Sequence, residues 1–298
     1  MMAIDPTSVD WATARQATYL VRQTFRYEYS NPIRDLNHRL VVIPPERFGD
    51  QRRLWHEMRV GLDNAHVEDH KDRFGNVIFN VFAPRVMDAI EFTARVAVER
   101  FAPEPNRIQR GLADAYVLEP SRLTGADDRL KYAANKLANA AEWGLPLADK
   151  INDWVYQSMT YKHGATTVST TASEALAIGH GVCQDYAHIM LAVCRACGLP
   201  SRYVSGHLLG QGGSHAWVEV LLPTNDGSGD AIAWTFDPTH ASRGGLGYVT
   251  VAVGGDYLDV APTSGTYRST ARGRLISSKR VTLTELRYGG PAEPTSQG

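Results

Sequence analysis

From Thr18 to about Ala102, apolar and polar residues alternate in short runs, as in Tyr19-Leu20-Val21-Arg22-Gln23-Thr24-Phe25-Arg26-Tyr27. A period of two sends alternate side chains to opposite faces of a strand. The region is therefore expected to form antiparallel strands, separated at Asn31-Pro32, Pro44-Pro45 and Gly75-Asn76. Leu54 to Leu62, Val77 to Ala83 and Ala89 to Phe101 continue the pattern. Between Ala102 and Thr124 the residues Pro103, Pro105, Gly111 and Pro120 interrupt any period, which predicts a boundary near residue 125. Helical spacing follows: Ala133 to Trp143 and Leu147 to Met159 read as helices, the second amphipathic through Ile151, Trp154, Val155 and Met159. A third starts at Cys183 and stops at Gly198 and Pro200. Strands return at Ser201 to His207, His215 to Leu222 and Ile232 to Phe236, with glycine-rich turns between them. Arg280 to Tyr288 reads as a last strand before a Gly-Pro-Ser tail that is expected to be loose.

These runs predict an α+β chain in three parts. Residues 14–125 form an N-terminal antiparallel β-sandwich-like domain, residues 126–265 a core of helices packed on an antiparallel sheet, and residues 266–298 a C-terminal strand and tail. A hydrophobic content of 43% with 21% charged residues fits an ordinary globular chain. Lys and Arg number 31 against 32 Asp and Glu, so the net charge of -1 gives no general attraction to nucleic acid or to an acidic membrane. The first twenty residues carry Asp5 and Asp10 and no apolar run, and a cytoplasmic location is expected. The cysteines Cys183, Cys194 and Cys197 are odd in number and are expected to be reduced.

Candidate chemistry concentrates where elements begin and end. Cys183 follows Gly181-Val182 at a helix start, where free N–H groups and the positive end of the helix dipole favour a thiolate and can receive an oxyanion. A thiolate needs a proton partner, and His215 opens a strand after the flexible Gly210-Gln211-Gly212-Gly213-Ser214. Asp237 ends the next strand, so antiparallel pairing would set its carboxylate beside the His215 ring.

The blocks Gly181-Val182-Cys183-Gln184-Asp185-Tyr186-Ala187-His188, Ser214-His215-Ala216-Trp217-Val218-Glu219-Val220 and Phe236-Asp237-Pro238-Thr239 resemble, in order and spacing, the core of the transglutaminase-like superfamily. Tyr27-Glu28-Tyr29, Leu40 to Pro44 and Asp72-Arg73-Phe74-Gly75-Asn76 resemble the N-terminal β-domain of the bacterial members, so that the resemblance spans most of residues 18 to 265. It implies a papain-like core with a Cys183-His215-Asp237 triad that transfers acyl groups through a thioester. Peptidases, amidases and protein cross-linkers share that chemistry, so it leaves the substrate open. A peptide or protein carboxamide is expected as substrate, with a peptidase or amidase favoured over a cross-linker. A carrier-thioester acyltransferase and a non-catalytic binding module are the competing accounts.

Other residues carry weaker signals. Tyr161 sits where the bacterial family places an aromatic before the active helix, and is a candidate oxyanion donor. Gln184, Asp185 and Trp217 are further candidate contacts. The alternative for Asp185 is helix stabilisation, and for Trp217 packing beneath the site. Cys194 and Cys197 have CxxC spacing at a helix end without a second ligand pair, and read as packing residues. His180 and His188 read as structural. His207, His215, Glu219 and His240 are metal-ligand types, but neither an HExxH pair nor a DxDxDG loop is present, so no metal and no cofactor are expected.

Overall fold

A computed structural model of the chain describes residues 3–101, 106–109 and 115–289. The first half consists of β1 (Ala14–Tyr29), β2 (Ile33–Ile43), β3 (Arg47–Phe48), β4 (Gln51–Val60), β5 (His66–Lys71), β6 (Val77–Val86), β7 (Ala89–Phe101) and β8 (Asn106–Ile108). The middle brings α1 (Asp128–Ala138), α2 (Leu145–Ser158), β9 (Thr160–Tyr161), α3 (Ala172–Ile178), β10 (His180–Gly181) and α4 (Cys183–Ala196). Then come β11 (Ser201–Leu208), β12 (His215–Pro223), β13 (Ala231–Asp237), β14 (Ser242–Arg243), β15 (Tyr248–Gly254), α5 (Tyr257–Val260), β16 (Thr263–Arg268) and β17 (Gly273–Tyr288).

Two antiparallel sheets, ordered β17-β1-β7-β4-β3 and β16-β2-β6-β5, share one core that includes Tyr19, Val21, Leu36, Val81 and Phe92. The alternation read at Tyr19 to Tyr27 matches this arrangement, with Tyr19, Val21 and Phe25 turned inward. The described residues 266–289, expected within a part of their own, pair instead with the first part. β17 pairs with β1 from Ala14↔Tyr288 to Tyr29↔Gly273, and β16 pairs with β2. The 265/266 division therefore cuts through β16. The tail after Gly289, expected to be loose, lies outside the described residues.

The second core lies between the helices and the sheet β14-β13-β12-β11-β15. Ile189, Met190 and Val193 of α4 meet Ala216, Val218 and Val220, which alternate along β12 on one face. Trp217 belongs to a smaller cluster with Val204 and Val253, against Phe48 and Phe74 of the first half. β15 is an edge strand of this sheet, and two buried amides from the first half pair with its backbone. Gln51 exchanges hydrogen bonds with the N–H and C=O of Thr250, both 2.8 Å, and Asn76 does the same with Val253, also 2.8 Å. Asp72 in turn accepts from the backbone of Phe74 and Asn76 and from the Asn76 side chain, each at 2.9 Å. The Asp72-to-Asn76 block thus docks the two halves and satisfies backbone groups that burial would otherwise leave unpaired. Among the described residues no helix is long and apolar enough to cross a membrane.

Candidate active site

Cys183 is the first residue of α4 and is partly accessible. Its helix start is built by Asp185, whose Oδ2 accepts from the Val182 N–H at 2.7 Å and from Thr166 Oγ1 at 2.6 Å. A Cβ on Gly181 would lie 2.5 to 2.8 Å from the Asp185 carboxyl, so only glycine fits before Val182. Asp185 is 1% exposed. Burial pushes its carboxyl up, against those hydrogen bonds. The carboxylate is turned into the protein and holds the backbone just before the nucleophile, which is the helix-stabilising alternative for this residue.

His215 and Asp237 occupy the first residue of β12 and the last of β13. The His215 Nε2 donates to Asp237 Oδ2 at 2.7 Å, with both side chains almost fully buried. Burial alone would push the His215 imidazole down. The hydrogen bonds to Asp237 and to Cys183, with their charges, outweigh it and raise the group from its ordinary 6.5 to about 9. Burial likewise pushes the Asp237 carboxyl up, yet the hydrogen bonds from His215 and His240 hold it well below the usual carboxylate range. Asp237 also accepts from the backbone of Thr239 at 3.0 Å, from His240 Nδ1 at 2.7 Å and from the Tyr248 hydroxyl at 2.8 Å. A buried carboxylate with this many donors stays ionised. The arrangement can hold an imidazolium beside the Cys183 sulfur at neutral pH and keep the ring in one orientation.

His240 and Tyr248 were not read from the sequence as partners of Asp237. The i,i+3 spacing from Asp237 to His240 at a strand end is a usable signal for the first. Tyr248 arrives from β15 across an intervening turn, and no local pattern announces it. His215, Asp237 and His240 present ligand-type atoms within 4.8 Å of one another. Both imidazole nitrogens involved already donate to the same Asp237 oxygen, so a cation at that point would have to displace both hydrogen bonds.

The remaining candidates divide. Tyr161 lies near the nucleophile because β9 pairs in parallel with β10, opposite Gly181. Its side chain is 46% exposed, and burial and the neighbouring Cys183 both push its hydroxyl up. Gln184 is buried and its amide donates to the Val168 carbonyl at 3.3 Å. Trp217 is 1% exposed and packs edge-on to Tyr248, with ring centroids 5.3 Å apart. It is the packing alternative that the structure supports, since the ring supports Tyr248 from within. A Cβ at Gly206 would come 2.4 Å from this ring, so glycine is required there. Glu219 is buried against Arg202 at 2.6 Å. Burial pushes both remaining thiols up, Cys197 to about 11 and Cys194 further.

Comparison with known proteins identifies the family of the chain. Residues 131–235 match the transglutaminase-like superfamily and residues 19–99 match the bacterial transglutaminase-like N-terminal region. An uncharacterized protein of Mycobacterium leprae is 30% identical over 235 residues, covering 72% of this chain and 80% of its own. One from Mycobacterium tuberculosis is 27% identical over 289 residues, covering 87% and 90%. A solved structure from Cytophaga hutchinsonii, described as that of a candidate cysteine protease, superposes with a TM-score of 0.74 at 21% identity over 93% of each chain. The chain belongs to the transglutaminase-like superfamily, with the N-terminal region of its bacterial branch.

Proposed function

We propose that the protein is a thiol-dependent acyl-transfer enzyme that opens amide or peptide bonds through a thioester on Cys183. The observation that carries this reading is the buried 2.7 Å hydrogen bond between His215 and Asp237, beside Cys183 at the start of α4. Superfamily membership and the fold shared with a candidate cysteine protease are consistent with it.

In the proposed reaction the Cys183 sulfur attacks the carbonyl carbon, and the first-turn N–H groups of α4 receive the developing oxyanion. The C–N bond then breaks as His215 gives its proton to the departing amine, which leaves a thioester and a neutral imidazole. Asp237 fixes the ring orientation throughout. Water attacks next, His215 takes its proton, and the carboxylic acid leaves as the thiolate reforms. A primary amine in place of water gives a new amide by the same steps. Hydrolysis is the favoured outcome, with a peptide or protein carboxamide as substrate and no cofactor. A reducing compartment such as the cytoplasm keeps the thiol available.

Intact-protein and peptide mass spectrometry after rapid quenching with a peptide amide tests the proposal. An acyl mass on the peptide containing Cys183, absent in Cys183→Ala and discharged by water or hydroxylamine, is the expected result. Turnover that persists in Cys183→Ala contradicts it.

A further inference from the structure

A groove of about 770 Å³ opens beside the triad and is bordered by residues that flank each of its members. Tyr161 and Tyr186 adjoin the Cys183 turn, Ser214 precedes His215, and Thr239 and His240 follow Asp237. The volume falls within the range of roughly 300–1,000 Å³ typical of ligand clefts.

Its two walls differ in chemistry. One is apolar and aromatic, with Tyr156 from α2, Tyr161 from β9, Tyr186 from α4 and Met159. Tyr156 and Tyr161 leave 48% and 46% of their surface exposed, so both contribute accessible ring surface to the groove. The other is small and hydrogen-bonding, made by Gln211, Gly212, Gly213 and Ser214. A Cβ at Gly212 or Gly213 would meet nothing within 4 Å, and neither residue has a positive φ. Neither crowding nor backbone geometry within the protein asks for glycine there; its effect is to leave the main chain of that segment free of side chains, with the Gly213 carbonyl accepting from Lys279. No Asp, Glu, Lys or Arg lines the groove among the described residues.

A glycine segment in one groove with exposed tyrosines suits an extended peptide, whose main chain bonds to the glycine segment and whose side chain packs on the rings. A charged side chain would lose part of its hydration there, and apart from the imidazoles of His163 and His240 the lining offers it no ionisable partner other than tyrosine. We propose that this groove is the acyl-donor subsite and that it selects peptides carrying an uncharged aromatic or large aliphatic side chain next to the reacting carbonyl. The proposal rests on Cys183 being the acyl-accepting nucleophile.

The test uses peptidyl acyloxymethyl ketones that differ only in the residue beside the electrophile, Phe, Leu, Gly, Asp or Lys. The rate constant kinact/KI for Cys183 is read by mass spectrometry, with iodoacetamide labelling of Cys183 as the control for the nucleophile. The Phe and Leu reagents are expected to react about tenfold faster than the Asp and Lys reagents. Tyr156→Ala is expected to cut the Phe-to-Lys ratio at least about fivefold, while Tyr156→Phe, which keeps the ring, retains it. Equal rates across the series, or faster reaction of a charged reagent, overturn the subsite while rapid iodoacetamide labelling leaves the acyl-transfer reading standing. Slow labelling by iodoacetamide as well removes both. A ratio unaltered in Tyr156→Ala overturns the role of the tyrosine wall.

Discussion

Replacing Asp237 by Asn removes a charge and leaves the shape of the site almost unaltered, which makes its consequence for His215 calculable. Raising the imidazole from 6.5 to about 9 corresponds to roughly 3 kcal/mol of preferential support for the charged ring, with burial already opposing it. Asp237 heads the supporting groups, ahead of Cys183, so in Asp237→Asn burial is less opposed and the midpoint of His215 is expected to fall by at least about one unit. At pH 7.5 the charged-to-neutral ratio would change from about 30 to 1 to about 3 to 1 or lower. The assay is a histidine-selective NMR titration of wild type and variant, with circular dichroism to verify folding. The Asn oxygen also inherits donors from His215, His240 and Tyr248 that the carboxylate now satisfies, so a loss of roughly 1–3 kcal/mol in stability accompanies the change. A His215 midpoint within about half a unit of wild type in a folded variant would refute the claim that Asp237 holds the ring charged.

Acid should weaken the fold through its buried neutral histidines. Burial lowers His38 and His188 to about 4 and His207 to about 3, so each contributes stability that is complete above 6.5 and is lost as pH falls toward those values. His215 has the opposite sign: its contribution is complete below 6.5 and is lost as pH rises through about 9. The Tm measured from pH 4 to pH 10 should therefore decline at both ends, and a flat acid limb would contradict the burial argument. Gly181→Ala should destabilise by roughly 1–3 kcal/mol in urea unfolding, because the new methyl group meets the Asp185 carboxyl; an unchanged midpoint would show that the turn can relax. Lys279 of β17, which burial lowers to about 8, donates to the Gly213 carbonyl in the loop leading to His215. Lys279→Met should speed amide exchange in residues 210–214, and unaltered exchange would mean that the first half does not restrain this loop.

What the sequence made legible follows from how local each signal is. The alternation from Tyr19 to Tyr27 is a property of one strand, and β1 is where it was expected. β5 went unread because all six of its residues are exposed, so burial left no period of two. α3 went unread although Thr171 and Glu174 form a capping box, since its seven residues are too few to display a helical stripe. β17 was recognised as a strand from Arg280 onward, but its partner is β1, more than two hundred residues away, and pairing over that distance leaves no mark in either segment. In the site, Cys183, His215 and Asp237 were legible because each is a reactive residue type at the end of an element. Asp185 and Trp217 show the converse: their types fit a cleft, and only the burial of both side chains distinguishes capping and packing from contact with substrate.

The account turns on whether Cys183 reacts as a thiolate paired with His215, and the rate of alkylation by iodoacetamide at about pH 6 tests this most directly. A thiol near its reference value of roughly 8.5 labels slowly at that pH, and burial holds Cys194 and Cys197 protonated. Peptide mass spectrometry is expected to find Cys183 labelled fastest in the wild type and markedly slowed in His215→Ala. Labelling of Cys183 no faster than that of Cys197, or a rate that His215→Ala leaves unchanged, would contradict the thiolate pair and with it the proposed acyl transfer.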